Sequence, residues 1–105
     1  MDGISASMSG VNVAAQSIAL SSNNVANVNT DGYKAKSLQQ QALPQGGVEA
    51  SAVRESQQPT SPGGSNVDLA TEAVNLKTEG IGYQADLKFM QVQQKLLGTA
   101  LDLQA

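Results

Sequence analysis

Residues 3–30 carry no charged side chain, yet their apolar residues recur with the spacing of one helical face. Ile4, Met8, Val11, Ala15 and Ile18 follow one another at alternating steps of four and three, the period that places side chains on one side of an α-helix. The rest is largely Ser, Asn and Gln, including Ser5, Ser7, Ser9, Asn12, Gln16, Ser17, Ser21 and Ser22. A helix on the surface of an isolated protein dresses its outer face with Lys, Glu and Arg, which hold water and pair along the helix. Neutral polar side chains cost less to remove from water than ions and can hydrogen-bond one another. The pattern therefore predicts a helix meant to be surrounded by neighbouring subunits.

Composition narrows the classes further. A chain of 105 residues forms one domain at most. It contains no His and no Cys, so a zinc site of the usual ligands, a thiol nucleophile and a disulfide framework are all excluded. A formal charge of −3 with only six Lys and Arg residues argues against nucleic-acid binding, which needs a basic footprint. No apolar run approaches the roughly 20 residues of a membrane span, and no signal-peptide pattern of charged and then apolar residues is visible. Asp, Glu, Ser, Tyr and Lys are present but form no acid–base or nucleophile constellation, so no enzyme activity and no cofactor are expected.

The chain divides into three segments: an N-terminal helix with an Asn-rich corner (1–34), an extended linker or short hairpin (35–64), and a C-terminal helix (65–105). The first helix should run from about residue 3 to 28 and stop at Asn27, Asn29, Thr30, Asp31 and Gly32, all turn formers. In the middle segment, residues 36–43 and 48–53 can pair as a hairpin across Pro44-Gln45-Gly46-Gly47, and residues 57–64 read as linker. Ser65-Asn66-Val67-Asp68 has the form of a capping box and predicts a second helix start. A seam of Leu69, Ala73, Leu76, Gly80, Tyr83, Leu87, Met90, Gln94, Leu97 and Leu101 then keeps heptad spacing. Val74, Ile81, Ala85, Val92 and Leu96 form a second stripe, which suggests contact with more than one neighbour. Gly80 and Gly82 mark the weak middle of this helix, as a local kink or as a point of close approach to another helix. Asp68 and Glu72 read as solvated acids favoured by the helix dipole.

The run Ser22-Asn23-Asn24-Val25-Ala26-Asn27-Val28-Asn29-Thr30-Asp31-Gly32-Tyr33-Lys34 resembles the amino-terminal signature of bacterial flagellar rod, hook and hook-associated axial proteins. Ser65-Asn66-Val67-Asp68-Leu69, Glu72, Val74-Asn75-Leu76 and Tyr83-Gln84-Ala85 resemble the carboxy-terminal signature of the same family. Three departures stand out: Asp31 replaces a usual Pro, Asp86 a usual Asn, and Gly80 and Gly82 occupy positions that are commonly bulky or charged. Only about thirty residues separate the two blocks, so the chain is most similar to a short, proximal-type rod subunit.

The resemblance implies a mostly α fold, in which two long terminal helices pair as a coiled-coil-like hairpin. It implies a structural role in the flagellar basal-body rod, polymerising through these helices and transmitting motor torque toward the hook. The assembly seam would comprise Ile4, Met8, Val11, Ala15, Ile18, Leu69, Leu76, Tyr83, Leu87, Leu97 and Leu101. Asn23, Asn24, Asn27, Asn29, Gly32 and Tyr33 would shape the corner where the first helix gives way. The implied partners are copies of the chain, other rod or hook subunits and the flagellar type III export apparatus. No nucleic acid, membrane insertion, cofactor or metal is implied. The location would be the periplasmic rod, reached without a cleaved signal peptide. The competing reading is a freestanding rod-derived adaptor that binds one partner helix.

Overall fold

The computed structural model describes residues 3–104. Residues 1, 2 and 105, the outer ends of the first and third expected segments, lie outside the described residues. The order is α1 (Gly3–Ala26), β1 (Lys36–Ala42), β2 (Val48–Glu55) and α2 (Leu69–Gln104), in an elongated body of 67 × 24 × 14 Å. Two terminal helices joined by an antiparallel hairpin match the expected architecture.

Helix α1 ends where the Asn-rich run begins to compete for its backbone. Asn27 N–H is shared between the carbonyls of Asn23 and Asn24, and Val28 N–H turns to Val25 O, which tightens the last turn. Gly32 then takes φ of 75°, a left-handed conformation that glycine adopts without a Cβ clash. In the hairpin turn Gly46 and Gly47 also have positive φ, and Leu43 N–H donates to Gly47 O at 2.9 Å. Pairing runs from Lys36↔Glu55 to Ala42↔Val48, with Ser51 left over at a bulge beside Gln39 and Gln40. A lone hairpin is marginal in water; this one leans on α1, where Val48 N–H donates to Ser9 Oγ at 3.1 Å.

The second helix starts later than the expected capping box places it. Asp68 is the cap, its Oδ1 accepting from the N–H groups of Ala70 (3.0 Å) and Thr71 (3.3 Å). Ser65 is diverted to a tertiary contact, donating to Val28 O at 2.7 Å. Helix α2 continues through Gly80 and Gly82, and nothing else in the chain lies within 4 Å of where their Cβ atoms would be.

The helices pack antiparallel with a shared step of seven. Gly3 lies against Gln93, Gly10 against Asp86, and Asn24 against Glu72. Ser7, Ala14 and Ser21 continue the α1 line and are buried. On α2 the row is Glu72, Glu79, Asp86 and Gln93, buried or half-buried, flanked by half-buried Leu76, Tyr83 and Met90. The expectation that the two apolar seams meet within one chain is therefore corrected. Small residues on α1 let the backbones approach and give the acids room, whereas a Cβ on Gly10 would sit 2.5 Å from Asp86 Oδ2. Among the described residues only Val13 and Ala14 are buried hydrophobics. Gly10→Val should destabilise the helix pair by about 1–3 kcal/mol through overpacking, and Asp86→Ala should recover part of the loss; urea unfolding followed by circular dichroism measures both.

Candidate functional site

Two features stand out: a polar corner that joins all the segments, and apolar faces that the chain itself leaves uncovered. The corner is built around Asn24, which is fully buried. Its Nδ2 donates to Lys36 O at 2.7 Å and to the Glu72 carboxylate at 3.0–3.1 Å. Its Oδ1 accepts from Tyr33 Oη and Lys36 N, both at 2.9 Å. One amide thus ties α1 to the extended entry of β1 and to the first turn of α2. Every polar valence is used, which is the condition for burying such a group without a large cost.

The other expected corner residues form a shell around it. Asn27 Nδ2 donates to Asn23 O and Oδ1 at 2.9 and 3.0 Å, and Thr30 Oγ1 donates to Asn27 Oδ1. Gly32 N–H donates to Gly64 O at 2.9 Å. Asn29 is exposed. Residues from the carboxy-terminal block complete the corner and were not foreseen in it. Asn66 accepts from Ala35 N–H at 2.6 Å and donates to Gln58 O at 2.8 Å, while its own N–H donates to Tyr33 O. Glu72 is buried rather than solvated, which corrects its reading as a simple helix-start acid. The available signal was its place in the second signature block, opposite an uncharged, Asn-rich first block.

Burial and the negative charges of Glu72 and Glu55 raise the Tyr33 phenol above its ordinary value of 10.0. Both effects disfavour the phenolate, so the neutral hydroxyl remains to donate to Asn24.

The residues expected to form the assembly seam are mostly on the outside. Met8, Ala15, Leu69, Leu87, Leu97 and Leu101 are exposed; Ile4, Val11, Ile18, Leu76 and Tyr83 are half-buried. The second stripe is also open, with Val74, Ile81, Phe89, Val92, Leu96 and Leu103 all exposed. Hydrophobic surface this continuous marks a contact face more often than a solvated one. No described helix is long and apolar enough to cross a membrane, and among the described residues no three metal-ligating side chains gather into a site.

Fold and corner together define a helical-hairpin structural protein with open apolar sides. Residues 4–34 match the family model described as flagella basal body rod protein. The matched stretch takes in α1 and the corner as far as Lys34, so over these elements the resemblance to the flagellar rod family is shown. That family is structural, and the match supports a rod role and a basal-body location. No curated protein matches the sequence.

Below pH 10, Tyr33→Phe should cost stability through the lost hydrogen bond to Asn24. A phenol whose folded pKa is raised contributes stability that is full below its unfolded value and is lost as pH rises through the folded one. The stability difference between wild type and Tyr33→Phe should therefore shrink above pH 10; denaturant titrations from pH 7 to 11 measure it. Asn24→Ala should cost about 2–4 kcal/mol, because it strands several buried partners.

Proposed function

We propose that this chain is a structural subunit of the bacterial flagellar basal-body rod, polymerising through its terminal helices so that torque passes along it toward the hook. The observation that carries this reading is the inverted distribution of side chains. The chain buries Ser7, Ser21, Asn24 and Glu72 while leaving Leu96, Leu97, Leu101 and Leu103 in water. Fully burying one such Leu is worth about 1.5–3 kcal/mol, so neighbours that cover these faces would supply stability the isolated hairpin lacks. The assembly seam on this reading is Ile4, Met8, Val11, Ala15 and Ile18 of α1 with Leu69, Leu76, Tyr83, Leu87, Leu97 and Leu101 of α2. Asn23, Asn24, Asn27, Asn29, Gly32 and Tyr33 hold the angle between these helices and the hairpin. Partners are other axial subunits and further copies, delivered by the flagellar export apparatus; a chain without cysteine has no disulfide to obstruct threading.

Mass spectrometry of purified hook–basal bodies tests the proposal. The chain should be present at a level comparable with the other rod subunits. Recovery only in the soluble fraction would favour the freestanding helical adaptor instead. Leu97→Asp, at a side chain 56% exposed in the single chain, should leave the hairpin folded. It should lower incorporation into basal bodies at least about tenfold, since an unpaired charge buried at a packed seam costs several kcal/mol. Ile18→Asp should act in the same direction. Normal incorporation and swimming with both variants would overturn the reading.

A further inference from the structure

The two apolar stripes of α2 lie roughly on opposite sides of its axis, given 100° per residue. The first, through Leu76, Tyr83, Leu87 and Leu101, borders the intrachain seam and adjoins the Ile4–Ile18 flank of α1. The second, through Val74, Ile81, Phe89, Val92, Leu96 and Leu103, is turned away, and each of its side chains is at least half exposed. The surroundings of the two sides differ in charge. Lys77, Lys88 and Lys95 run along the outer edge of the second stripe, whereas α1 carries no charge from Gly3 to Ala26.

We propose, resting on the rod-subunit reading, that these unlike sides are the two halves of one interface. The second stripe of α2 in one copy docks on the neutral α1 flank of a second copy, beside that copy's own seam. Three observations favour this occupant. A symmetric contact through either stripe would cover one side of the subunit and leave the other in water, whereas a contact between unlike sides covers both and repeats. Antiparallel self-pairing of the second stripe would set its lysine row beside the same row in its partner, and like charges side by side are destabilising. The α1 flank offers those lysines no like charge to oppose them. The flank is also continuous with the α1–α2 seam, so an incoming helix would extend an existing layer of paired helices into a third.

Complementation in the full-length purified chain tests the pairing of sides. Met8→Glu places a charge on the α1 flank, and Val92→Glu places one on the second stripe; these positions are 51% and 54% exposed, so both variants should keep wild-type helicity by circular dichroism. Sedimentation of the wild type should show association that grows with concentration. Each variant alone should associate at least about tenfold more weakly. An equimolar mixture should form a one-to-one heterodimer and stop there, because each variant retains the side its partner has lost. A mixture no larger than its separate components would overturn the pairing of unlike sides. A wild type that stays monomeric to millimolar concentration would overturn a second copy as the occupant. The rod-subunit reading would then still stand or fall by the basal-body composition, which is measured separately.

Discussion

Three stretches of this chain converge on one side-chain amide. Asn24 sits near the end of α1, and its two donors and two acceptor positions reach Lys36 at the entry of β1, Tyr33 in the connecting turn and Glu72 in the first turn of α2. An amide is suited to the place because it gives and takes hydrogen bonds at once; a carboxylate there would face the Glu72 carboxylate, and an alanine would leave its partners unsatisfied. The corner orients both helices and the hairpin, and the second shell of Ser65, Asn66 and Gly64 fastens it to the residues before α2. Everything that positions one helix against the other starts from this point.

Away from the corner the helix pair has little of the apolar burial that usually stabilises two helices. Its α1 line is Gly3, Ser7, Gly10, Ala14, Ser21 and Asn24, and the facing α2 row holds Glu72, Glu79, Asp86 and Gln93. Gln93 even keeps its Oε1 buried without a hydrogen-bond partner. Small side chains bring the backbones close and so gain dispersion contacts, but they remove little apolar area from water. Two helices packed in this way form a stable unit only with help from outside, as expected where a small chain lacks the core of a larger domain.

Much of this was legible in the sequence. The helices follow from periodicity, the hairpin from Gly46 and Gly47 between two polar runs, and the corner from the cluster of Asn and Gly. The inner face of each helix was not legible, because the rule that apolar residues turn inward assumes that the chain's own interior is the only one available. Ile4, Met8, Val11 and Ile18 satisfy helical spacing equally well whether α2 or another subunit covers them. Glu72 was misplaced for a related reason: an acid in the first turn of a helix looks the same in sequence whether water or Asn24 receives it. Ser65 and Asp68 are both good caps, and only the tertiary bond from Ser65 to Val28 O decides between them.

The division of labour between a polar inside and an apolar outside has a consequence for when the structure gains its stability. A group that binds only the folded form stabilises it in proportion to the logarithm of its concentration over the dissociation constant. Neighbours that cover Phe89, Val92, Leu96 and Leu103 bind only the helical form, since these residues share a face only when α2 is helical. Assembly and folding are therefore linked through the same side chains. A weak internal seam keeps the free chain easy to open, and a neutral α1 enters the packed state without stripping water from ions. Strengthening the internal seam with larger apolar residues would stabilise the isolated hairpin, but it would also move apolar surface inward from the faces that neighbours need.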